Sequence, residues 1–108
     1  MRIVISEAAR QDLASQSQWY FQQAGDRLAD RYMAAFDDTL AVLAAQPEIG
    51  SRRKFRDARL QGLRSAIMFG AFRVHLVFYR VVAERLFVFR VLHGMRDLPR
   101  RLLDMPGD

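Results

Sequence analysis

The chain has 108 residues, 51% of them hydrophobic and 27% charged, with no cysteine and two histidines. These figures describe one globular domain with a single modest core; they exclude disulfides, thiolate metal sites, a cysteine nucleophile and a histidine-rich metal centre. A net charge of +5 at a pI near 10.7 points to an anionic partner, either a nucleic acid or an acidic protein.

Of the 17 basic residues only Lys54 is a lysine. Arginine favours planar, bidentate contact with carboxylates and phosphates, although a GC-rich coding bias accounts for most of these positions as readily. No apolar run is long enough to cross a bilayer, and the first residues carry no extended apolar stretch of the signal-peptide kind, so a cytoplasmic protein without membrane contact is expected. Repeats and low-complexity segments are absent, which gives a single domain over residues 1–108, with 99–108 as a candidate flexible tail.

In chain order, Arg2-Ile3-Val4-Ile5 is a short β-type run. Ser6 stands where a helix N-cap belongs, with Glu7 placed to favour the helix dipole. Ala9, Leu13, Gln16 and Tyr20 mark one face of the first helix, with Trp19 beside it and Gln16 at a position expected to be apolar. Gly25-Asp26 breaks and restarts the helix, Asp26 being the next N-cap candidate. Leu28 or Ala29, Tyr32, Phe36, Thr39-Leu40 and Leu43 then recur at helical spacing until Gln46-Pro47-Glu48-Ile49-Gly50 stops the second helix.

A polar, basic connector from Ser51 to Gly62 follows. Three β-like runs come next: Arg64 to Phe69, Phe72 to Val81 and Leu86 to Leu92. Short links make them antiparallel. The middle run is apolar on both faces; one face suits the helical hairpin, and the other needs a cover or a ligand. The fold class is therefore α+β: a short N-terminal strand, a two-helix hairpin, a mainly antiparallel sheet of three further strands, and a short C-terminal tail or helix built on Leu102, Leu103 and Met105.

The ordered set of Ser6-Glu7-Ala8-Ala9, Asp12-Leu13, Ala29-Asp30-Arg31-Tyr32, Gln46-Pro47-Glu48-Ile49-Gly50, Leu63-Arg64, Val77-Phe78-Tyr79-Arg80 and Arg90 to Leu98 resembles the ParE branch of the ParE/RelE toxin superfamily, over roughly residues 2 to 98. The chain departs from that pattern at Gln16 and at Ser17. The resemblance implies the RelE/ParE-like fold and the toxin of a type II toxin–antitoxin pair, associated with plasmid stabilisation. Such a toxin is neutralised by a cognate antitoxin, ParD-like or of another kind, in a hetero-oligomer. It also implies inhibition of DNA gyrase by binding, without a cofactor or metal. The RelE branch on the same fold instead cleaves mRNA in the ribosome. A third reading is an inactive homologue that only binds its antitoxin.

A ribonuclease needs a base, an acid and cations for the phosphorane charge. Within this resemblance His93, with Arg90 and Arg96, is the set that would supply them. No lysine lies near the sheet, and Gly94-Met95 stands where some ribonuclease members carry a tyrosine. A strand-end histidine is more often structural, and His75, in mid-strand, reads as a packed, hydrogen-bonded residue. Arg80, Arg90, Arg96, Arg100 and Arg101 are the candidates for a basic target-binding ridge; the alternative for strand arginines is a structural ion pair with Asp12, Glu84 or Asp97. Three successive aromatics span most of a helix circumference, so at least one of Trp19, Tyr20 and Phe21 should face away from the sheet as an antitoxin anchor. Arg52 and Arg53 in the connector are further antitoxin candidates.

Overall fold

A computed structural model describes residues 1–94 and 96–106 of the chain. Arg2–Ile5 forms strand β1, and helix α1, Glu7–Ala24, follows after a single residue. That residue is Ser6, whose Oγ accepts the Ala9 N–H at 3.0 Å and donates to the Phe89 carbonyl at 2.7 Å. One hydroxyl thus caps the helix and ties its start to the sheet. Gly25, at φ +82°, ends α1 and opens helix α2, Asp26–Ala45, a backbone conformation that is cheap only for glycine. Asp26 is therefore not the N-cap expected for it; it sits in the first turn, where its charge still favours the dipole.

The buried face of α2 is Ala29, Tyr32, Phe36, Thr39, Leu40 and Leu43, as the spacing requires. Four further strands follow: β2 (Ser51–Arg52), β3 (Arg64–Ile67), β4 (His75–Val82) and β5 (Arg85–His93), and a one-turn helix α3 (Arg100–Leu103) closes the chain. The sheet order is β1-β5-β4-β3-β2, with β1 parallel to β5 and the other neighbours antiparallel. Strand β2 was not expected: two residues carry no readable period, and pairing with Arg64 and Ser65 alone defines it. Phe69 and Phe72 fall outside the strands, because Gly70–Phe72 forms a 3-10 turn between β3 and β4.

Both faces of the sheet are packed. The helical hairpin covers one, placing Ala9, Leu13, Tyr32, Phe36, Leu40 and Leu43 against Val77, Tyr79, Leu86, Val88 and Val91. On the other face Leu60, Leu63 and Leu102 meet Leu76, Phe78 and Leu92, with Phe55, Phe89, Leu98 and Leu103 alongside. At about 1.5–3 kcal/mol for each fully buried Leu or Phe, this second cluster accounts for the apolar back of β4 from within the chain. The connector read as polar carries Phe55 and Leu60 into it, and Leu63 follows at its end.

A register shift between Phe78 and Tyr79 places Tyr79 opposite Val88 but Phe78 opposite Arg90. The extra residue on β5 changes its parity, so Leu86, Val88 and Val91 all reach the hairpin side while Leu92 turns to the other. Gly50 lies against the Tyr79 ring, whose hydroxyl accepts its N–H at 2.9 Å and donates to the Pro47 carbonyl at 2.7 Å. Any Cβ there would collide with that hydroxyl, which explains the glycine after α2.

Candidate functional site at the end of the fifth strand

Strand β1 ends at Ile5, opposite Val88, so among the described residues the second half of β5, residues 89–93, has no strand on its outer side. Helix α1 runs over this edge, and the side chain of Asp12 takes the place of the missing strand by accepting the Val91 N–H at 3.0 Å. Its two oxygens also receive Arg90 Nε at 2.7 Å and Nη2 at 2.8 Å. Arg90 Nη1 donates to the carbonyls of Arg101, Leu102 and Asp104. Both side chains of this pair are more than nine-tenths buried. An arginine so placed needs every donor used, and this one joins α1, β5 and α3.

Beyond Asp12 an open cleft of about 450 Å³ lies between α1 and the strand end, lined by Asp12, Ser15, Gln16, Trp19, Tyr20, Val91, Leu92, His93 and Arg101. This explains Gln16: its place on the helix faces the cleft, so a polar side chain meets no core there. Tyr20 closes the cleft floor with its hydroxyl 2.7 Å from His75 Nε2. His75 is itself buried, ringed by Tyr32 at 5.0 Å, Tyr20 at 5.8 Å and His93 at 5.1 Å between ring centroids. Burial, and secondarily the neighbouring His93, pushes His75 down to about 4, so it stays neutral near pH 7. Burial raises Tyr20 as well. His93 is exposed at the end of β5 and borders the cleft.

The candidate residues are distributed as follows. Trp19 and Phe21 are 52% and 46% exposed, whereas Tyr20 is drawn into the core edge. The expectation that one of the three faces outward holds for two of them. Arg90 is not part of an exposed ridge, because the Asp12 ion pair, one of the alternatives read from sequence, consumes it.

Arg80 is half-buried on the other side of the sheet, stacked over Phe89 at 5.3 Å and donating to the carbonyls of Arg59 and Gln61, where it pins the connector. Arg101 is likewise committed, donating to the carbonyls of His93 at 2.9 Å and Arg96 at 3.2 Å. Arg96 and Arg100 are exposed, and Arg100 pairs loosely with Asp97 and Asp104 at 3.3 Å each. Of the expected ridge only Arg96 and Arg100 remain exposed and outside the Asp12 and backbone-carbonyl contacts. Arg52 lies on β2 and Arg53, stacked over Phe55 at 5.8 Å, just after it, so β4 and β3 separate them from the strand under α1. Trp19 and Arg52 therefore belong to different surfaces.

Residues 3–98 match the family profile described as ParE toxin of type II toxin-antitoxin system, parDE. The chain belongs to the ParE toxin family. A solved chain from the chromosomal ParDE TA system of P. aeruginosa superposes on 88% of this chain and 97% of its own length, with a TM-score of 0.71 at 16% identity, a likeness of fold. Comparison with curated proteins finds no match. The sequence required only that at least one of Trp19, Tyr20 and Phe21 face outward, without saying which, and it left His93 between a structural and a catalytic role. It missed the connector's second core and the double role of Asp12, for which the only signal was a carboxylate one helical turn from Ala9 and close to the apolar face. Among the described residues no helix is long and apolar enough to cross a membrane, and no group of acidic and histidine side chains is arranged to hold a metal.

Proposed function

We propose that this ParE-family toxin acts in the cytoplasm by binding DNA gyrase, and that a cognate antitoxin silences it by seating apolar side chains against Trp19, at the α1–β5 cleft, and against the exposed Phe21. The observation that carries the reading is the fate of the ribonuclease set. Arg90, one of the two arginines three residues from His93, commits all three guanidinium nitrogens to Asp12 and three carbonyls, and Arg101 is held by backbone oxygens, which leaves Arg96 as the one exposed cation of that set. Neither Arg90 nor Arg101 is free to stabilise a developing phosphorane beside His93. What remains at the strand end is an exposed imidazole, two exposed arginines and an open aromatic cleft, features suited to protein–protein contact.

Purified toxin, assayed in parallel against gyrase supercoiling and a coupled translation reaction, tests this directly. Inhibited supercoiling or trapped cleavage complexes with translation spared is the expected result, and a His93→Ala variant should keep that activity within about threefold. Cut mRNA with gyrase untouched would make His93 an active-site residue and overturn the reading.

A further inference from the structure

The second core does not reach the whole back of the sheet. At the end remote from His93, around the β4–β5 turn, a shallow cleft of about 440 Å³ remains, lined by Val4, Arg80, Val82, Ala83, Arg85 and Phe87. Val82 is 54% exposed there. Arg2 and Arg85 stand directly opposite each other on β1 and β5. Like charges in that position repel, and neither arginine enters an ion pair found among the described residues. Arg80, on the flank of the cleft, keeps a buried Nε without a hydrogen-bond partner. Strand β1, which carries Arg2 and pairs with the strand of Arg85, is an edge strand with no strand partner on its outer side among the described residues, and its Ile3 is exposed on the opposite face.

We propose that this corner is a docking surface for an extended segment of a separate protein that alternates acidic and apolar side chains and joins the sheet beside β1. The alternation follows from the pleat. Every second residue of an added strand stands on the back face, beside Arg2 and toward Arg85, where a carboxylate relieves the like-charge contact. The intervening residues stand on the helix face beside Ile3 and Ile5, where apolar groups are covered. A second copy of this chain fits poorly, because pairing two β1 strands brings two Arg2–Arg85 rows together on molecules already carrying +5 each. The surface lies at the opposite end of β5 from the Trp19–His93 cleft, so both can be occupied at once, and the inference is independent of the gyrase reading.

A nine-residue peptide alternating glutamate and valine is a suitable probe, with its lysine–valine counterpart as control. Amide chemical shifts and hydrogen exchange of the full chain should locate binding at Arg2–Ile5 and the β4–β5 turn, with exchange in β1 slowed. The lysine peptide should not bind, and affinity should fall as salt rises. Arg2→Glu combined with Arg85→Glu should weaken binding at least tenfold with the melting curve retained. The milder Arg85→Gln should weaken it less, and Trp19→Ala should leave it unchanged. Perturbations confined to the α1 cleft or the connector, or equal binding of the lysine peptide, would overturn the proposal. So would a concentration-dependent dimer that Val82→Asp dissolves, which would assign the corner to a second copy.

Discussion

At the scale of single residues, Asp12 does the most. It continues the sheet edge by accepting the Val91 N–H and neutralises the buried Arg90 in the same stroke. Removing one member of a buried pair strands the other charge, so Asp12→Ala should cost about 3–5 kcal/mol in urea unfolding. Asp12→Leu with Arg90→Met together should cost clearly less than the sum of the single changes, because no stranded charge remains; an additive double mutant would contradict the pairing. The carboxylate was visible in the sequence as a candidate partner for Arg90. Its bond to the strand edge was not, since nothing local says that β1 stops at Ile5.

At the scale of elements, α1 divides its three aromatics between two tasks. Tyr20 supports His75, while Trp19 and Phe21 project outward. Replacing both outward residues by Ala should weaken antitoxin affinity by tenfold or more with little change in Tm, whereas Tyr20→Phe should lower Tm and spare affinity; calorimetric titration with thermal melts separates the two. The C-terminal segment is better described as a cover than as a free arm. Leu102 is buried in the second core, and carbonyls of residues 101, 102 and 104 hold Arg90. Deleting residues 98–108 should therefore destabilise the fold by several kcal/mol, on the scale of a lost buried leucine plus unsatisfied donors. Loss of toxicity in such a deletion would report folding. Arg96→Glu with Arg100→Glu, both exposed, tests the target contact without that penalty and should reduce gyrase inhibition at least tenfold.

At the scale of the whole molecule, one sheet carries a helical layer on one side and a self-made cover on the other, with open surface at its two ends. Global stability should depend on pH through His75. The unfolded chain protonates this side chain near 6.5, while the folded chain resists until about 4, so the unfolded state binds more protons in that window. Stability is then greatest above the window and declines as pH falls through it, by on the order of 2 kcal/mol. Denaturation midpoints at pH 7.5, 6 and 4.5 should show the decline, and His75→Gln should flatten it relative to the parent; parallel curves would mean His75 is not the group responsible.

Most of the architecture followed from local rules. Ser6 as cap, the 3–4 spacing of Tyr32, Phe36, Leu40 and Leu43, and the two-faced apolar character of β4 each rest on a period that a short window of sequence contains. The ordered motifs also sufficed to mark the ParE family. What needed the tertiary structure was parity and destination. The bulge on β5 shifts which of Phe89, Arg90 and Val91 faces the hairpin, and no alternation pattern contains that shift. Whether Arg90 meets a phosphate or a carboxylate depends on a helix 78 positions away in the chain. Leu60 and Leu102 look like connector and tail until the back of the sheet brings them together with Leu63. Periodicity is a property of neighbours along the chain, and burial of a charge is a property of neighbours in space, which only the folded molecule supplies.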